Sequence, residues 1–322
     1  MISFDYLNQL SKPKATRDAY GETLVELGWQ YLHMVVLDAD VSVSTKTIKF
    51  AKQFPNRFFN VGIAEQNLVS TAAGLSLCRK LPFASSYAVF LTGRAWEQIR
   101  QSVCYPNLNV KLVATHSGIT VGEDGASHQA LEDIGAMRVL PNMTIIVPAD
   151  FIETQMAIKA VAIHVGPTYV RLGRAKVSRV IPEDYKFEIG RAYTYHMGKD
   201  ANIIAIGIMV AEALKASELL RSQGIDAGVI NMSTVKPIDK ETIIEAAKRS
   251  GRIVTAEEHS IIGGLGSAVA ECLAENYPVK LKRIGVQDTF GRSGHPAKLM
   301  ELYHLTYRDI AKAVQQMLKI HF

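Results

Sequence analysis

Cysteine is scarce: Cys78, Cys104 and Cys272 are the only three in 322 residues, far apart and without a CxxC pair. That spacing argues against a disulfide framework and a compact zinc site, and reads as reduced core thiols. Long apolar runs are missing too. The longest nearly uncharged stretch, 201–211, is about half of the ~20 residues that a membrane span requires. The opening MISFDYLNQL puts Asp5 where a secretory signal needs unbroken apolar sequence, so no leader and no membrane association are expected. Neither sign of charge dominates. Lys plus Arg number 36 against 31 Asp plus Glu, and the resulting +5 is too diffuse for nucleic acid as the main partner. What is present is a chain 48% hydrophobic and 8% aromatic, the composition of a soluble, cytoplasmic globular protein. At about 150 residues per domain it is long enough for two.

Short β-branched runs bounded by Gly, Pro or Asp alternate with segments of helical period, the pattern of parallel strands joined by crossover helices. The expected class is α/β, with two doubly wound domains and mainly parallel sheets. Strands are read at 33–37, 58–61, 83–86, 111–115, 144–147 and 168–171, and helices at 65–77 and 152–161. Leu68, Ala72 and Leu75 form a sheet-covering stripe on the first helix, and Ile152, Met156 and Ala160 one on the second. Periodicity fails over 175–189, where charges of both signs flank Pro182, and this is the candidate linker. A second α/β block follows, with strands at 202–208, 227–231, 252–256 and 279–286, helices at 211–221, 240–248 and 265–275, and a helical tail from Tyr307. The expected division is 1–180 and 181–322.

Several constellations stand out. Glu65, in NVGIAEQN, sits between a strand and an apolar helix. A first-turn glutamate can simply stabilise its own helix, but the small Gly62 and Ala64 also permit close approach of a ligand or partner chain. THSGITVGEDGASHQALED packs His116, Glu123, Asp124 and His128 into a Gly-interrupted loop after a strand, where doubly wound folds bind ligands. Two imidazoles near carboxylates suit proton transfer to hydroxyls or a carbonyl; a plain polar loop with an Asx-type turn is the alternative. Arg171 and Arg174 of YVRLGR, with Arg17 of KATRDAY, are either solvated charges or a guanidinium fork for phosphate. Tyr87 and Phe90, in SSYAVFLTGR, suit either core filling or stacking on a flat ring. GGLG, 263–266, completes no phosphate-binding fingerprint and reads as close helix packing.

Taken together, GIAEQN, SYAVFLTGRAWEQIR, HSGITVGEDGASHQALED and YVRLGR resemble the thiamine-diphosphate family of transketolases over nearly the whole chain. The resemblance is to the pyrimidine-binding domain followed by the C-terminal domain, as in organisms that split the enzyme between two genes. It implies transfer of a two-carbon ketol unit from a ketose phosphate to an aldose phosphate. Within it, Glu65 matches the glutamate that hydrogen-bonds a ring nitrogen of the aminopyrimidine. Phe90 matches the aromatic stacked on that ring, with Tyr87 beside it. His116 and His128 match the two substrate-side histidines, and Asp124 the aspartate near the donor hydroxyls. Arg17, Ser44, His116 and Arg174 match positions that grip the sugar phosphate, whereas the family equivalent of Arg171 is often not basic. A further family aromatic falls on Gly93, where Arg94 is the candidate substitute. The GDG motif and asparagine that hold Mg²⁺ and the diphosphate are not in this sequence. The implied assembly therefore pairs this chain with an N-terminal transketolase subunit, two copies of each, with the cofactor bound where the chains meet.

GIAEQ is equally similar to 1-deoxyxylulose-5-phosphate synthase, which decarboxylates pyruvate, and specialised relatives act on other sugars. The β subunits of 2-oxo acid dehydrogenases share the split but not the two-histidine, phosphate-gripping set. A non-catalytic scaffold is the remaining alternative.

Overall fold

The computed structural model describes residues 12–319; the N-terminal stretch with Asp5 lies outside them. The first sheet uses β1 (Met34–Asp38), β2 (Phe58–Asn60), β3 (Leu81–Tyr87), β4 (Lys111–Thr115), β5 (Thr144–Ile146) and β6 (Thr168–Arg171). The second uses β7 (Tyr193–His196), β8 (Ala201–Ala205), β9 (Ala227–Asn231), β11 (Arg252–Ser260) and β12 (Lys280–Val286). Strand β10 (Thr234–Lys236), although it follows β9, crosses to the first sheet and pairs antiparallel with β5. The orders are β10-β5-β6-β4-β3-β1-β2 and β12-β11-β8-β9-β7. Apart from β10 and β7, every pairing in these two sheets is parallel, so the α/β expectation holds. Central strands such as MVVLD and KLVAT are buried along their whole length, as expected for sheets covered on both faces. Among the described residues no helix is long and apolar enough to cross a membrane.

The helix Glu65–Leu77 forms as expected and buries Leu68 and Ala72. The helix Phe151–Ile163 turns differently from the expected stripe. Ala157, Ile158 and Val161 join the cluster on the first sheet, while Ile152 and Met156 pack against apolar residues of the second unit. Two buried faces on one helix defeat a single-stripe reading. The candidate linker is also more than a connector. Asp150, the N-cap of that helix, receives the amide of Glu153 at 2.8 Å on one oxygen and those of Val180 and Ile181 at 2.8 and 2.9 Å on the other. Tyr185 donates to Glu153 at 2.6 Å. These bonds strap 180–185 down, and Val180, Ile181 and Tyr185 are buried. One apolar cluster runs from Leu37 and Ala84 in the first sheet to Ile204 and Ile253 in the second, so the sheets share a core.

Candidate active site

The crevice is built at the carboxyl ends of β3, β4 and β6, where loops leave parallel strands. Glu65 opens its helix, yet Ala64 before it offers no side-chain cap. The Glu65 side chain is only 2% exposed; one oxygen receives the Ser86 hydroxyl at 3.0 Å and the other the Arg94 guanidinium at 2.6 Å. The carboxylate thus faces the next strand and helix, not its own. After β3 the chain winds as a wide π-type turn over Phe90–Arg94, adding a residue per turn. That extra residue sets Arg94 over the Phe90 ring, 4.9 Å from its centroid, while Arg94 stays half-exposed. A side chain at Gly93 would meet open space.

His116 adopts φ +59, left-handed backbone that a non-glycine residue holds only under constraint. The constraint comes from three directions. The Tyr87 ring stacks on the imidazole at 4.0 Å between centroids, Thr115 Oγ1 lies 2.7 Å from Nδ1, and Arg17 lies 3.3 Å from Nε2. Because Arg17 can only donate, Nε2 accepts and Nδ1 carries the hydrogen, which it gives to Thr115. Burial, reinforced by Arg17 and Arg174, drops the His116 pKa to about 3. It is therefore a neutral acceptor at ordinary pH, not an acid. His128 is half-buried, edge-on to Phe90 at 5.2 Å, with the Ser127 hydroxyl 3.0 Å from its Nδ1.

Arg17 also donates to the Ser44 carbonyl at 3.0 Å, while its buried Nε has no partner, so the guanidinium retains a donor. Ser44 enters through its backbone, held by Asp38, which receives the Val41 amide and the Thr45 and Thr47 hydroxyls. Arg174 donates to the Val121 carbonyl and lies 3.4 Å from Glu123 and 3.8 Å from Asp124. Glu65, Tyr87, Phe90, Arg94, His116, His128, Arg17 and Ser44 are thus linked through one connected set of contacts, while Asp124 and Arg174 pair with each other and reach Arg17 only electrostatically. Arg171 is elsewhere. Only 4% exposed, it gives its Nε to Asp133 at 2.7 Å and its Nη2 to the carbonyls of Ala130 and Glu258, so it forms no phosphate fork. Two of the GGLG amides are likewise occupied: the Glu257 carboxylate receives Leu265 and Gly266 at 2.7 and 2.8 Å, and so stands where a phosphate would. Ser86 was not singled out in the sequence, although the small residues of ASSY at the end of β3 were a signal for it.

A polar crevice at the carboxyl edge of a parallel sheet, fused to a second α/β unit, defines a doubly wound protein with a small-molecule site. The sequence profile described as "Transketolase, pyrimidine binding domain" matches residues 12–179, and "Transketolase, C-terminal domain" matches 190–310. The chain belongs to the transketolase family. It is 52% identical to a Methanocaldococcus jannaschii chain named as a transketolase C-terminal section, covering 95% of this chain and 97% of the other. It is 42% identical to a 6-deoxy-6-sulfo-D-fructose transketolase subunit of a Clostridium species, covering 94% of each. A solved split-gene transketolase, described as an inactive beta4 tetramer, is 54% identical and superposes with a TM-score of 0.87 over 95% of this chain and 98% of that one. The chain is thus the C-terminal member of a split transketolase.

Proposed function

We propose that the chain is the pyrimidine-side subunit of a thiamine-diphosphate-dependent transketolase and that it moves a two-carbon ketol unit between sugar phosphates only when joined to an N-terminal subunit. Residues 1–180 form the pyrimidine-binding domain in this reading and 181–322 the C-terminal domain. The observation that carries it is the Glu65 carboxylate, buried yet facing the Phe90–Arg94 turn, whose Phe90 ring meets His128 and, through Tyr87, the His116–Arg17 pair.

The donor set fits half of the cofactor. A buried carboxyl beside an aromatic ring, with open space at Gly62 and Gly93, suits an aminopyrimidine. For the diphosphate and its Mg²⁺, the GDG motif and asparagine that hold them in the family are not in this sequence. Those ligands are assigned to the partner, and two copies of each subunit complete the assembly. When bound, the cofactor stabilises the carbanion left by carbon–carbon cleavage. Glu65 holds a proton against the ring nitrogen, and Arg94 must leave it to do so, since the two share one ion pair in the chain alone. Neutral His116 accepts from a substrate hydroxyl at Nε2 once Arg17 turns from it to the phosphate, while His128 and Asp124 hold the donor's hydroxyls and carry protons. Arg17 and Arg174 grip the phosphate with the Ser44 carbonyl fixing Arg17.

The test is reconstitution with the N-terminal subunit and assay on xylulose 5-phosphate against pyruvate. Ketol transfer is expected, with none from this chain alone; turnover of pyruvate only overturns the reading in favour of the synthase. Glu65→Ala should lower turnover of the complex by about a thousandfold without preventing assembly. Unchanged turnover would favour a scaffold. A 6-deoxy-6-sulfo sugar belongs in the same assay, because the Clostridium relative is named for that donor.

A further inference from the structure

The loop bearing Asp124 does not rest on its own unit alone. Its floor is the end of β11, on the second sheet. There Glu258, 5% exposed, receives the Thr120 amide on Oε1 at 2.6 Å, across 138 residues of sequence. The approach is close enough that a Cβ at Gly118, where φ is +76, would fall 2.2 Å from the Glu258 carboxyl carbon. Only glycine satisfies both demands. Further bonds fix the return of the same loop: Ser260 N donates to the Leu131 carbonyl at 2.8 Å, and Gln129 reaches the carbonyls of Ile119 and Arg292, both at 3.0 Å.

Thr120 lies in the 3-10-like segment Ile119–Asp124, which kinks at Gly122. Its next carbonyl, that of Val121, receives the Arg174 guanidinium. One continuous path therefore joins Glu258 Oε1, the Thr120 amide, the Val121 carbonyl and Arg174. Arg174 is the long, part-exposed member of that path. A flexible guanidinium grips a phosphate well only if something restricts its rotamers, since each freed side chain costs affinity.

We propose that Glu258, a residue of the second sheet with no place in the crevice, is a positioning residue for the phosphate grip: it sets the 119–124 turn so that Val121 presents Arg174 to the sugar phosphate. The proposal rests on the transketolase reading above. It gives the second unit a part in substrate selection, favouring donors that end in phosphate over the same ketoses without it.

The experiment uses the reconstituted complex and two variants. Burial pushes the Glu258 carboxyl above its ordinary range, so glutamine, which keeps the Oε1 acceptor, is a close replacement. Glu258→Ala should raise KM for a phosphorylated ketose about tenfold, the usual worth of one charge-assisted contact, while kcat and the KM for an unphosphorylated ketose hold. Glu258→Gln should restore the first KM. Amide exchange of 119–124 in this chain alone should quicken in Glu258→Ala and not in Glu258→Gln. Equal KM changes for the two donors, or no change for either, overturn the positioning role; so does a loss in Glu258→Ala that Glu258→Gln does not repair. A wild-type complex with no ketol transfer sinks the transketolase reading instead, and the exchange measurement still decides whether Glu258 holds the turn.

Discussion

Arg171 and Arg174 stand three positions apart in one motif, and they have opposite surroundings. Arg171 ends β6 on the same face as Tyr169, and both reach Asp133 Oδ2, at 2.7 and 2.6 Å. Around them lie His259, Glu257 and Glu258 of the second sheet, all buried. Arg174, past the strand end, lies a third exposed against two exposed carboxylates. The seam between the sheets commits its charges to the fold, because a buried ion that loses its partner is left unsolvated. At the crevice, part-exposed pairs are weak enough to exchange for a ligand. The Arg94–Glu65 pair is intermediate, with one end buried and the other exposed.

Substitution at each arginine would break that contrast if it fails to hold. The largest effect is expected for Arg171→Met, which strands Asp133 and should destabilise the chain by about 3–5 kcal/mol in urea unfolding. A loss below 1 kcal/mol would show that the seam tolerates an unpaired carboxylate. Arg174→Met should cost no more than about 1 kcal/mol in the same measurement, because solvent screens its partners. In the reconstituted complex it should instead raise KM for a phosphorylated donor, and a stability loss as large as that of Arg171→Met would erase the distinction.

A further effect concerns acid. Burial lowers the pKa of His116 to about 3 and that of His259 to about 4, from 6.5. Between those values and 6.5 the unfolded chain binds more protons than the folded one. Their stability contribution is therefore complete above pH 6.5 and is lost as pH falls through the depressed range, by at most about 1.4 kcal/mol per pH unit for each imidazole. At the seam, Glu257 opposes this. Burial pushes its carboxyl up to about 7, so its contribution is complete below 4.5 and lost as pH rises through 7. Its oxygen lies 3.7 Å from His259, and over pH 4.5–6.5 the two slopes offset. His116→Gln should consequently flatten the fall in melting temperature from pH 6.5 to 4.5. An unaltered slope would mean that His116 is not held neutral in the fold.

Most strand cores were legible because buried parallel strands need continuous apolar, β-branched runs, and 111–115, 168–171 and 227–231 fall where expected. Strand ends were less so: β8 stops at Ala205, and β11 continues to Ser260 through charged residues that only burial of the seam accommodates. Four short strands escaped notice: β7, β10 and the antiparallel pair Lys14–Ala15 and Lys176–Val177, the latter inside the candidate linker. YTYH carries little aliphatic content, and TVK lies against a proline. The motif segments marked Glu65, Phe90, His116, Asp124, His128 and Arg174, since loops after parallel strands repeatedly carry such residues. Nothing local reveals that Ser44 serves through its carbonyl or that Arg94 reaches back to Glu65, because those contacts span 27 and 29 residues.

By itself, then, the sequence determined the α/β class and the family, and it marked the candidate site residues, since periodicity and motif spacing are local properties of the chain. The tertiary structure alone decided which arginine faces the crevice and which is locked in the seam, and that β10 and Glu258 cross from one unit to serve the other. Side-chain direction at a strand end, and the partner that meets it there, depend on how two sheets are stacked, and no run of neighbouring residues encodes that stacking.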